Sequence, residues 1–135
     1  MTIRARNRTI IAGLIVGVAA VALTVLPRLS RTASQDPIRD MQIVVRNMAF
    51  YVDDQPEPNP TITLRAGEQV RIRLRNDEAG ISHDFAIRAW DVGTRLLADS
   101  LQEDSIVFRA PRTKGTEVYE CTPHSAMMRG TIRVE

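Results

Sequence analysis

An all-β Greek-key sandwich preceded by one transmembrane helix is the architecture predicted for this 135-residue chain. Three observations carry that expectation. Residues 9–26 (TIIAGLIVGVAAVALTVL) hold no charge. From Met41 onward apolar and polar residues alternate with a period of two in short runs. Prolines, glycines and asparagines divide those runs into strand-sized pieces. Length alone favours one domain, since globular domains commonly run about 100–200 residues.

The N-terminal elements come first. Eighteen residues of helix, the length of the uncharged run, extend roughly 27 Å, just enough to cross a hydrocarbon core of about 30 Å. Arg4, Arg6 and Arg8 precede the run, which predicts a cytoplasmic N-terminus over 1–8 and everything after the span outside. A cleaved signal peptide is the rival reading. Its apolar core is normally about 7–15 residues and ends at small residues in an A-x-A-like pattern, whereas Arg31 stands near Ala33 where a small residue is wanted. A buried core helix would show a polar face, and this run has none. Residues 27–40 (PRLSRTASQDPIRD) are polar, hold two prolines and show no apolar period, which reads as a linker. The domain is expected over 41–135.

Within it the clearest strand is 69–75. Val70, Ile72 and Leu74 point one way and Arg71, Arg73 and Arg75 the other, as in a half-buried strand with a solvated outer face. Further strands are expected over 42–46, 61–64, 83–87, 105–108, 116–121 and 130–134. Breakers lie between them at 53–60, 66–67, 76–80 and 111–115. Strands so spaced predict an antiparallel sandwich. The stretch 91–104 reads either as a helical turn around 94–98 or as plain loop. Aromatics are only 4% of the chain, so Val, Ile and Leu must build most of the core; Tyr119 and Trp90 read as packing residues, and Met41 and Met48 as core or surface residues.

Charge divides by position. Six of the eighteen basic residues precede Met41, against Asp36 and Asp40, and the domain that follows carries twelve basic and fourteen acidic residues. A nucleic-acid partner needs a basic patch on the folded domain and so loses its support. No Gly-rich phosphate loop and no internal repeat occur. One cysteine excludes an intramolecular disulfide framework and a four-cysteine metal site held by one chain.

The chemistry-bearing residues crowd together. Cys121, His124, Met127 and Met128 lie within eight residues, and the only other histidine is His83. In a sandwich, a Cys at a strand end, a His in the following loop and a Met before the next strand can converge, with His83 supplied by a neighbouring strand. Two imidazoles, one thiolate and a long axial thioether form the donor set of a blue-copper electron-transfer site. Singly, Cys121 reads as a buried small hydrophobe and each histidine as a surface residue; jointly, the spacing favours ligation.

Residues 41–135 resemble a cupredoxin, the amicyanin pattern above all, with plastocyanin and pseudoazurin more distant. Gly115-Thr-Glu-Val-Tyr-Glu-Cys121-Thr-Pro-His124, followed by Met128-Arg-Gly and a final strand, is similar to the amicyanin C-terminus. Ser82-His83-Asp84-Phe85 resembles the strand end that supplies the first histidine. The resemblance implies one type 1 copper per chain on His83, Cys121, His124 and either Met127 or Met128. Two departures stand out. Met128 leaves three residues after His124, where amicyanin has two, although Met127 keeps that spacing; register of the final strand favours Met128, with the extra residue absorbed in the loop. Asp84 replaces the Asn common after the first histidine, and it can tie the ligand loops together through Thr122.

The function expected is a membrane-tethered carrier of single electrons at the cytoplasmic membrane, its copper domain on the periplasmic or extracellular side. No small-molecule substrate and no enzymatic turnover are expected. Redox proteins would dock transiently near His124, on Pro123, Ala126 and Met127. Alternatives are copper delivery or storage, which usually needs several exposed Met or His ligands, and a mononuclear-copper subunit of a larger oxidoreductase, which needs an open coordination position. The dinuclear copper site of an oxidase subunit needs two cysteines in its loop and is excluded.

Overall fold

The computed structural model describes residues 37–135. Nine strands form two sheets: β1 (Arg39–Arg46), β2 (Ala49–Val52), β3 (Ile62–Leu64), β4 (Gln69–Asn76), β5 (Ala86–Ile87), β6 (Val92–Gly93), β7 (Glu103–Arg109), β8 (Gly115–Glu120) and β9 (Arg129–Val134). One sheet has the order β2-β1-β4-β7 and the other β3-β9-β8-β5-β6. The sole helical element among the described residues is a turn of 3-10 helix, Arg88–Trp90, ended by Asp91 in the left-handed conformation.

Alternation decides which faces meet. Met41, Ile43 and Val45 of β1 and Val70, Ile72 and Leu74 of β4 are buried, and they pair side by side, Met41 with Ile72 and Ile43 with Leu74. Across the sandwich stand Ile62, Leu64, Ile132 and Tyr119. The arginines of β4 lie on the outer face, where Arg71 and Arg73 pair with Asp40, and Arg75 with Asp77.

Several details differ from the expected pattern. The β1–β4 and β3–β9 pairs are parallel, so the sandwich is mixed rather than antiparallel throughout. After the β1–β2 hairpin the chain crosses to the second sheet as β3, then returns as β4 running alongside β1. Strand β1 starts at Arg39, two residues before the predicted domain boundary. Strands β2 and β6 had no separate signal; β2 follows a two-residue turn, Asn47-Met48, with both φ angles positive, a geometry normally given to Asn and Gly. The expected strand over 83–87 shortens to β5, because His83 makes an isolated bridge to Leu97. That bridge also keeps 94–98 extended, so no helical turn forms there. Met41 is buried, Met48 packs partly against the core, and Trp90 rests on Phe108 with ring centroids 6.0 Å apart. Among the described residues no helix is long and apolar enough to cross a membrane; the predicted span, 9–26, lies outside them.

Strand pairing fixes where the site lies. Ala86 faces Glu120 in β5–β8 and Glu120 faces Arg129 in β8–β9, so the residues just beyond these positions emerge at one end of the sandwich. His83, Cys121 and Met128 are those residues.

Candidate metal centre

Three aromatic rings brace this end. Phe85, two residues after His83, stacks on Tyr119, two residues before Cys121, at 5.3 Å between centroids, and Phe50 meets both edge-on at 5.7 and 5.6 Å. The Tyr119 hydroxyl donates to the Pro60 carbonyl at 2.6 Å, which satisfies its one buried polar group. The strand ends carrying His83 and Cys121 therefore rise from a rigid floor.

The loop between β8 and β9 is folded by its own backbone. The Cys121 N–H donates to the Met128 carbonyl at 3.0 Å, and the His124 carbonyl accepts from Met127 and Met128 at 3.0 and 2.9 Å. This winding turns Met128 inward, fully buried, and leaves Met127 60% exposed. The Asn59 amide reaches the Met127 carbonyl at 3.4 Å while its Oδ1 accepts the Phe50 N–H at 3.0 Å.

Inside the loop the predicted residues come together. Sγ of Cys121 lies 3.7 Å from Nδ1 of His83 and 3.5 Å from Nδ1 of His124, and all three donor atoms fall within 4.8 Å of one another. His83 and Cys121 are buried and His124 half-buried, with Met128 close by. Imidazole nitrogen and thiolate sulfur bind a divalent first-row ion such as zinc at roughly 2.0–2.3 Å; splayed at 120° around one ion, they would stand about 3.6–3.8 Å apart. The two sulfur–nitrogen distances fit donors that share an ion. The mixture of soft thiolate and thioether with imidazole fits copper rather than Mg or Ca.

Burial favours the neutral forms of two of the donors, Cys121 and His83. Burial pushes the Cys121 thiol up to about 11, an effect that backbone N–H groups of Asp84 and His124 offset only in part. Burial likewise lowers the His83 pKa, against the opposing pull of Glu78. A bound cation would take the place of the thiol proton.

Oδ1 of Asp84 accepts the Thr122 N–H at 2.5 Å. Pro123, Ala126 and Met127 are exposed around the half-buried His124. Sequence reasoning missed three residues here. Asn59 lay in a stretch read only as a breaker. Asn76, fully buried, donates to the carbonyls of Ile81 and Leu97 at 2.8 and 3.3 Å. Glu78 places Oε2 2.8 Å from Nε2 of His83. Their signal was weak: polar residues in turns are ordinary, and only the fold brings them beside a ligand.

No family model matches the chain, and no curated protein does. Solved structures do match. Auracyanin A, a "blue" copper protein from Chloroflexus aurantiacus, is 20% identical, covers 73% of this chain and all of its own, and superimposes with a TM-score of 0.57. Rusticyanin from Thiobacillus ferrooxidans is 21% identical over 73% of this chain and 77% of its own, TM-score 0.54. A heme-copper terminal oxidase chain matches at 18% identity over 77% of this chain and 68% of its own, TM-score 0.57. The likeness is one of fold: residues 37–135 have the cupredoxin fold.

Proposed function

We propose that the chain is a type 1 copper protein that carries single electrons between redox proteins. The observation that carries this reading is the convergence of His83, Cys121 and His124 within 4.8 Å at the end of a cupredoxin sandwich. His83 and His124 would hold the metal through Nδ1, Cys121 through its thiolate and Met128 as the axial thioether. Bound there, copper supplies one-electron exchange between its cupric and cuprous states. The protein's part is to keep the donors fixed: two come from braced strand ends and two from a loop closed by the Cys121–Met128 backbone bond. Electrons would leave through His124, the least buried of the four ligands, to a partner docked on Pro123, Ala126 and Met127.

A visible spectrum of the copper-loaded protein tests the site. An intense thiolate-to-copper band in the red is expected, and Cys121→Ser abolishes it, because a hydroxyl is a poor soft ligand. A band that survives Cys121→Ser sinks the reading. Two rivals separate by behaviour. Delivery or storage predicts rapid exchange of copper with a chelator, but among the described histidines and methionines Met127 is the only strongly exposed one near the site. A mononuclear-copper enzyme predicts turnover of oxygen or nitrite and an open position, which the buried Met128 argues against. The likeness to a terminal oxidase chain does not extend to a dinuclear site, since one cysteine is present.

We also propose that residues 9–26 tether the domain to the cytoplasmic membrane, with copper on the outer side, on the strength of their uncharged length and the preceding arginines. The intact mass of protein extracted from membranes checks it. A mature N-terminus between residues 27 and 41 would mean a released carrier.

A further inference from the structure

The inner histidine has a partner that the ligand set does not explain. Nε2 of His83 faces Oε2 of Glu78 at 2.8 Å. The two atoms stand at hydrogen-bonding distance without good alignment, and neither has another hydrogen-bond partner. His83 is wholly buried and the Glu78 side chain only 17% exposed, so the pair must satisfy itself.

Everything around Glu78 holds it there. Its Oε1 accepts the Met48 N–H at 3.1 Å, in the turn where Met48 takes a positive φ of 56°. Its own N–H donates to Oδ1 of Asn76 at 2.9 Å. Asn76 in turn donates to the carbonyl of Leu97, and Leu97 exchanges both backbone bonds with His83 at 2.9 and 2.7 Å. Asn76, Glu78, His83 and Leu97 thus form a closed ring of contacts in which the carboxylate cannot swing away without breaking a bond.

We propose that Glu78 is the positioning residue of the metal centre. A carboxylate only accepts, so the facing Nε2 carries the hydrogen and Nδ1 presents its lone pair towards Cys121. The negative charge behind the ring also makes Nδ1 the more basic donor and favours the cupric state over the cuprous one. Carboxylate–histidine pairs of this kind orient metal-bound imidazoles, and their loss typically costs about 10–100-fold in metal affinity. The inference rests on the copper reading for its redox part and on the pairing alone for its tautomer part.

The experiment uses the full chain with Glu78→Gln and Glu78→Leu. In metal-free protein, long-range proton–nitrogen spectra report the His83 tautomer. The Nε2–H form is expected in the parent and in Glu78→Gln, whose amide oxygen still accepts, and a mixture in Glu78→Leu. An Nδ1–H parent, or an unchanged tautomer in Glu78→Leu, overturns the proposal whether or not copper binds. In copper-loaded protein, Glu78→Gln keeps the red band but shifts the cupric-to-cuprous affinity ratio down about tenfold, a rise of about 59 mV for one electron. An unchanged potential with an intact band overturns the tuning. Absence of the band in the parent would instead refute the copper reading, leaving the tautomer test to decide on Glu78. Should Glu78→Leu fail to fold, the same spectra on Glu78→Ala replace it.

Discussion

Oδ1 of Asp84 accepts the backbone N–H of Thr122 at 2.5 Å, and this bond joins the two segments that supply His83 and Cys121. Each residue directly follows a ligand in the chain, so one contact fixes the separation of two donors. It also places a carboxylate beside the sulfur. Asp84→Ala is expected to lower the stability of the metal-free protein by about 1 kcal/mol, the modest figure reflecting the exposure of the bond, since charged hydrogen bonds reach about 1.5–3 kcal/mol. Asp84→Asn keeps an acceptor and should stay near the parent in thermal unfolding. Both remove the charge, so both should raise the reduction potential of the copper form. Equal melting temperatures for all three proteins would show that the bond ties nothing together.

Gly130 pairs with Tyr119 across β8–β9, and a Cβ built on it would lie 2.3 Å from the ring carbon bearing the hydroxyl. The ring cannot yield easily, being stacked on Phe85 and bonded to Pro60. Gly130→Ala should therefore cost about 1–3 kcal/mol, as overpacked cores do, and disturb ligands two residues away on either strand. A double-mutant cycle with Tyr119→Leu isolates the clash: in the Leu background the glycine substitution should cost little. The same cost in both backgrounds would place the penalty elsewhere.

How much of this was legible in the sequence follows from what each signal depends on. Period-two alternation in 69–75 is local, and β4 formed with the faces it predicted. His83, Cys121 and His124 were found because ligand chemistry restricts residue types so tightly that three in the right order mean something. Strand β2 was not legible: Ala49, Phe50 and Val52 are all buried, so alternation is hidden, and its turn places Met48 where Asn or Gly is usual. The parallel pairing of β1 with β4 depends on a crossover whose direction no local pattern encodes. Asn76 and Glu78 resemble ordinary turn residues until the fold sets one under Leu97 and the other against an imidazole.

Asn59 holds the loop over 53–60 to the ligand loop. It sits at φ 49°, a conformation Asn tolerates better than most residues, and its side chain accepts from Phe50 and donates to the Met127 carbonyl. Asn59→Ala should lose about 1–2 kcal/mol through the orphaned Phe50 N–H and the strained backbone, while Asn59→Gly relieves the strain and should lose less. Thermal unfolding of the two variants tests the order. Alanine as stable as the parent would remove Asn59 from the scaffold of the site.

Met127 and Met128 are adjacent in sequence and opposite in surroundings. The His124 carbonyl accepts from both N–H groups, so the loop coils once more before β9, and that extra residue turns Met127 outward to 60% exposure while Met128 closes over the core with none. The Cys121–Met128 backbone bond then holds the second methionine beside the sulfur. Because the axial thioether tunes the potential, Met128→Leu should shift both spectrum and potential, yet cost less than about 1.5 kcal/mol, as volume-conserving core exchanges do. Met127→Leu should leave spectrum, potential and stability alone and change only the rate of electron exchange with a docked partner. Paired voltammetry of the two variants decides: a larger shift from Met127→Leu would mean that the loop rewinds around copper and that the exposed sulfur is the one recruited.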